Sequence, residues 1–244
     1  ARSDIGVLGG VGSGAAASLV SQQGRIAVQG GAGSVGGITL DALRQIDVGG
    51  DMAAGGPIVL RSGTAGIDVA GNLASAASLS ADAPGDIRFG GDTRVGAELA
   101  VASTAGALAF ARALEVGGAA RLAAARGIDF GGDSRFFGAL SVAGGGGPII
   151  NRGHLYACTD FIVDTLGDFI SEGRIDSLAA VSIRGARLSF NTQQAGGVFA
   201  NGGISLVARD GGWLGRSGTL ASSSRCARSL GRTSTLATDG SARA

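Results

Sequence analysis

Two apolar pairs recur down this chain with a step that alternates between 20 and 21 residues. The first runs Ile26-x-Val28, Ile46-x-Val48, Ile67-x-Val69, Ile87-x-Phe89, Leu108-x-Phe110 and Ile128-x-Phe130. The second runs Ile38-x-Leu40, Ile58-x-Leu60, Leu79-x-Ala81, Leu99-x-Val101, Ala120-x-Leu122, Leu140-x-Val142, Phe161-x-Val163 and Val181-x-Ile183. The two keep phase with each other throughout. A fixed period of this size marks a solenoid. In such a chain each unit touches only its neighbours, so the expectation is one elongated body, not two globular domains.

One unit shows how the coil is built. In residues 46–66, Ile46 and Val48 alternate with Asp47, the period of a strand with one buried face. Gly49-Gly50-Asp51 reads as a turn. A short segment around Met52 follows, then a corner at Gly55-Gly56, then the strand Ile58-x-Leu60, then a turn from Ser62 to Gly66. Three short strands and three glycine corners make a roughly triangular rung. A unit this short has no room for a helical crossover, so each strand must pair in parallel with its equivalent one unit later. Parallel crossovers are right-handed in nearly all cases. The expected fold is an all-β, right-handed parallel β-helix of 20–21 residues per rung, with roughly ten rungs. Ile46, Ile67, Ile87, Leu108 and Ile128, with Leu60, Val101, Leu122 and Val142, should stack inside. Asp47, Asp68, Arg88 and Asp129 should face out.

Composition agrees. The chain has no lysine, 20 arginines and three glutamates, and glycine is 47 of 244 residues. Such a sequence is a poor helix former. There is no Gly-X-Y period, which excludes collagen, and 45% hydrophobic content argues against disorder. A net charge of +1 argues against a nucleic-acid partner for the body. No run of eighteen apolar residues is present, so no transmembrane segment is expected. No signal peptide opens at Ala1, which reads as a removed leader or an excised segment. Residues 1–212 carry the repeats. Residues 213–244 are rich in Ser, Thr and Arg, with five arginines against one acid, and read as degenerate rungs or a frayed tail. Cys158 and Cys226 lie more than three rungs apart, so a bond between them would need the tail to fold back.

Candidate chemistry is sparse. The turn position reads Asp51, Asn72, Asp92, Ala113, Asp133, His154 and Arg174 in successive rungs. Asp and Asn there suit a corner, bonding to backbone two residues on. One carboxylate per rung is too few oxygens for calcium. Gly31-Ala-Gly33-Ser-Val-Gly36 matches a dinucleotide-binding pattern, but Ile38-Thr-Leu40 follows where a helix would be needed. His154 is the one histidine, and it occupies a turn. Asp160, Asp164 and Asp168 are the densest acids and could form a glycan-cleaving pair, though solvated strand edges account for them. No catalytic residues, metal or cofactor are expected.

The rungs GDIRFGGDTRVGAELAVASTAGALAF (85–110) and GIDFGGDSRFFGALSVAG (127–144) resemble the filamentous haemagglutinin family of large bacterial exoproteins and adhesins. The likeness covers roughly residues 5–212 and rests on the period and the Gly-Asp corner. It implies a right-handed β-helix, export across the outer membrane, often by two-partner secretion, and adhesion or delivery of a terminal toxin. Neither the family's N-terminal secretion motifs nor a toxin domain is visible. The expected function is therefore a secreted, non-enzymatic adhesin shaft at the bacterial cell surface, meeting a host or neighbouring-cell glycan or protein. Two other readings stand beside it: a head-to-tail filament or sheath subunit, and a tailspike-like or lyase-like β-helix that binds or cleaves glycans. Ile5-x-Val7 already fits the first ladder, so the N-terminal face should be covered by more of a longer exoprotein or by an identical subunit.

Overall fold

A computed structural model describes residues 3–191, 197–216 and 219–222. The chain is all-β, a parallel β-solenoid of about 9 turns and about 21 residues per turn, with no helix among the described residues. Each turn lays down three strands, as in Ile46–Val48, Met52–Ala54 and Ile58–Ser62. Each pairs in parallel with its equivalent one turn on. Ile46 sits opposite Ile67, Met52 opposite Leu73, and Ile58 opposite Leu79. The coil thus has three faces, here numbered by strand order within a turn.

The inward positions are those of the ladders. Ile46, Ile67, Ile87, Leu108 and Ile128 are buried, as are Leu60, Val101, Leu122 and Val142. Between the buried pair, Arg88 is exposed and Asp47, Asp68 and Asp129 are half-buried. One inner column becomes aromatic midway. The Phe89 and Phe110 rings stack at 5.2 Å, and Phe110 and Phe130 at 6.1 Å. The column then turns polar, where Asn151 Nδ2 donates to Ser171 Oγ at 3.0 Å. Parallel stacking with one residue type per level explains both runs, since each side chain meets only the levels above and below it.

The alternation of 20 and 21 has a single structural source. Each step from the first strand to the second, and from the second to the third, takes six residues up to Val181, as from Ile46 to Met52 to Ile58. The return to the next turn alternates. It takes nine residues from Ile58 to Ile67, then eight from Leu79 to Ile87, then nine again from Leu99 to Leu108. As far as Ala124 the long corners carry a buried serine and the short ones an alanine, in the order Ser21, Ala42, Ser62, Ala83, Ser103, Ala124; the next long corner has Gly144 and the next short one a buried Thr165. The serine ties its corner both ways. Ser103 Oγ accepts from the Gly106 N–H at 3.0 Å and donates to the Gly85 carbonyl one turn below at 2.7 Å. Ser21 and Ser62 repeat both bonds. The repeating unit is therefore a pair of turns.

Towards the C-terminal end the third corner disappears. The third strand and the following first strand merge in Val181–Asn191, with seven residues from Val181 to Leu188. A bulge between Gly185 and Arg187 interrupts its pairing with Ile204–Arg216. That last strand crosses the expected boundary at 212 without a break, setting Trp213 opposite Leu188, and Leu220 pairs with Val198 in the strand Thr219–Ser222. Cys226 and the rest of the tail lie outside the described residues.

The register makes a direct prediction. Ile87→Asp places an unpaired charge in a sealed column and should cost several kcal/mol, about 3 or more. Arg88→Ser, one residue along and facing out, should change stability by about 0.5 kcal/mol or less. Denaturant unfolding of the two variants checks this. Equal losses would contradict the register.

Candidate functional site

The polar side chains at the corners have a shared task. Asp51 Oδ1 accepts the Asn72 N–H at 2.8 Å, Asn72 Oδ1 accepts the Asp92 N–H at 2.9 Å, and Asp133 Oδ1 accepts the His154 N–H at 2.9 Å. Asp and Asn at a corner are expected to bond backbone two residues along the chain. They reach instead to the next turn, 20 or 21 residues on. The reason is the bend. On a straight ladder a backbone carbonyl of the turn below would meet that N–H. At the corner the side chain supplies the acceptor, and the group need not be left unmet.

The corner before the first strand uses the same device on alternate turns. Asp4, Gln45 and Asp86 accept from the N–H groups of Arg25, Gly66 and Ala107 at 2.9, 3.1 and 2.9 Å. The next pair at this position is Gly127 and Pro148, where the upper residue has no N–H to offer and the lower has no side chain. Gly127 also has φ of 118°, and a Cβ there would collide with the Pro148 carbonyl.

The three dense acids are each held by a separate partner. Asp160 Oδ1 accepts the Ala180 N–H at 3.2 Å. Asp164 pairs with Arg209. Asp168 accepts from Arg187 Nε at 3.1 Å and from its Nη2 at 2.6 Å. That hydrogen bonding, more than the charge itself, holds the Asp168 carboxyl below its ordinary range and the Arg187 guanidinium above its own. Arg152 is raised in the same way, chiefly by its bond to Asp129, and also reaches Glu172 at 3.4 Å. Gly31 to Gly36 holds the strand Ala32–Ser34 and a corner, with the strand Ile38–Ala42 beyond. Among the described residues no three of His, Cys, Asp and Glu gather as a metal-holding group.

One region departs from this economy. Along the second face the outward column begins Gly12, Gly33, Ala53, Ala74. It continues Arg94, Glu115, Arg135, Tyr156, Asp176 and Phe199, each paired with the next. His154 flanks Tyr156, ring to ring at 6.3 Å and 71°. Its Nε2 lies 2.6 Å from Asp176 Oδ2, and Arg174 Nε meets the same oxygen at 2.7 Å. The Arg174 guanidinium stacks 4.3 Å over the Phe199 ring. The Tyr156 phenol is pushed above its ordinary value, first by its hydrogen bond to Cys158. At the corner after the second strand, Phe137, Cys158 and Leu178 stand one above another, with Phe137 52% and Leu178 49% exposed. Most turns below have glycine or alanine there, at Gly14, Gly55, Ala76, Gly96 and Gly117. Sequence reasoning found His154 but missed Tyr156, Asp176, Phe199 and this corner. The available signal was a change of residue size at a fixed ladder position.

No protein-family model matches the chain, and neither curated proteins nor solved structures give a match.

Two outcomes are expected. Asp51→Ala should cost about 1 kcal/mol, the net worth of one hydrogen bond, measured by denaturant unfolding. The Asp168 carboxyl should titrate below an ordinary aspartate when followed by NMR. Because its folded pKa is depressed, the pair's contribution is present above the unfolded value and is lost as pH falls through the folded one. Arg187→Gln should move that titration upward, and an unmoved titration would contradict the assignment.

Proposed function

We propose that the chain is a rigid, non-enzymatic shaft segment of a secreted bacterial surface protein, of the kind its repeats resemble. The observation that carries this reading is the employment of the polar side chains. Asp, Asn, Gln and Ser at the corners bond backbone of adjacent turns, and the acids that could have formed a catalytic pair are tied separately. A coil so bonded transmits length and stiffness. About nine turns at about 4.8 Å each make a rod of roughly 45 Å. In this reading the rod extends a longer exoprotein and holds its binding end away from the cell, and the ligand of that end is a glycan or protein of another cell. Its resistance comes from repetition, since each turn is stabilised by two neighbours.

Small-angle scattering of the purified chain should give a rod-like profile whose length fits this estimate. A compact profile, or cleavage of a polysaccharide that is lost in Asp160→Ala or Asp164→Ala, would sink the shaft reading.

A further inference from the structure

The enlarged part of the second face is self-complementary. Three successive turns present the same three outward positions. The lowest gives Asp133, Arg135 and Phe137. The middle gives His154, Tyr156 and Cys158. The highest gives Arg174, Asp176 and Leu178. A two-fold axis lying parallel to the strands, through the middle turn, reverses the order of the turns and keeps the order along the strand. Asp133 then faces Arg174 of a second copy, Arg135 faces Asp176, and Phe137 faces Leu178. Each contact occurs twice. We propose that this face is an isologous, antiparallel interface between two copies of this chain.

Three observations support it. The solenoid is its own control, because the lower turns fill the second and third of these positions mostly with Gly or Ala, apart from Val35, Arg94 and Glu115, and still close the coil. Folding therefore does not require large residues here. Second, the needed atoms are available. Asp176 engages His154 and Arg174 through Oδ2, leaving Oδ1 for Arg135 of the second copy. Asp133 uses Oδ1 for the His154 N–H, leaving Oδ2 for Arg174 of the second copy, whose terminal nitrogens remain when Nε is on Asp176. Third, neighbouring registers fail. Moving the axis one turn down sets Arg135 against Arg135 and Asp133 against Asp133. Moving it one turn up sets Asp176 and Arg174 each against itself. A parallel alignment, with the axis along the solenoid, sets Arg135 against Arg135 and Asp176 against Asp176 and leaves Asp133 and Arg174 facing Phe137 and Leu178. Among registers whose axis passes through a turn, electrostatics favours the one in which all three columns agree.

The size of the contact sets its strength. Five turns at about 4.8 Å, across a five-residue face at about 3.3 Å per residue, cover roughly 400 Å² per copy. That is below the roughly 800 Å² of a stable interface, so the dimer is reversible. Cys158 lies on the axis, but packed sheet faces are about 10 Å apart, and a disulfide needs Cα atoms within about 4.4–6.8 Å. It serves as a reporter for a short thiol crosslinker, not as a bond.

Sedimentation velocity over a concentration series tests the proposal, in a Cys226→Ser background. The parent chain should show a monomer–dimer equilibrium, and a bismaleimide should join two copies through Cys158. Arg135→Asp and Asp176→Arg should each weaken dimerisation at least about tenfold, since each alone opposes like charges. An equimolar mixture of the two should dimerise again, because the mixed pair restores opposite charges in both contacts. If Asp176→Arg loses its β spectrum, Asp133→Arg mixed with Arg174→Asp makes the same test on the other contact. A parent chain that stays monomeric at every concentration, a dimer that does not crosslink at Cys158, or folded single variants whose mixture stays monomeric would overturn it.

Discussion

Every turn of this molecule depends on the backbone of the next. The strands are three to five residues long over most of the chain, far too short to persist as isolated hairpins or sheets. They exist because their N–H and C=O groups meet equivalent groups one turn away. Two consequences govern the rest of the structure. Inside, side chains of equivalent position are forced into columns, so apolar residues must recur in register or be sealed against something unlike themselves. At the corners, where a bend takes a donor out of reach of its carbonyl, another acceptor must be provided. Asp51, Asn72, Asp86 and Ser103, the last for the Gly106 N–H, provide it.

This division explains what could be read from the residues alone. The ladders revealed the coil because burial acts at a fixed position in each turn, and Ile or Leu recurs there visibly. The partner of Asp51 could not be read the same way. A local bond two residues on and a bond to the next turn demand the same residue type at the same corner, and only the direction of the N–H decides between them. The paired turn was half visible. The 20 and 21 steps were plain, but their source is the length of one corner, marked over residues 17–124 by Ser21, Ser62 and Ser103 alternating with alanine at a position outside both ladders. The merging of corner and strand near Gly185 left only a shortened step, from Phe169 to Leu188, as its trace.

The second face shows a repeat protein acquiring individuality without disturbing its frame. Outward positions answer only to solvent, so Gly33 and Tyr156 occupy the same place in the coil at no cost to its closure. Chemistry can therefore accumulate locally, as it does around Asp176, where a histidine and an arginine share one carboxylate oxygen. Its Oδ2 is held between the two partners, which fixes the direction of the carboxylate. The resulting surface has shape and charge order that the lower turns lack.

The pairing of long and short corners makes the chain a polymer of two-turn monomers, with Ser21, Ser62 and Ser103 marking equivalent points 41 residues apart. Loss or gain of a single turn would bring two corners of equal length together, with a serine hydroxyl facing the wrong carbonyl or none. Over residues 17–124, loss or gain of a pair would leave every joint as it was. The molecule is in effect quantised in length, and its reach can be altered without redesign only in whole multiples of that unit.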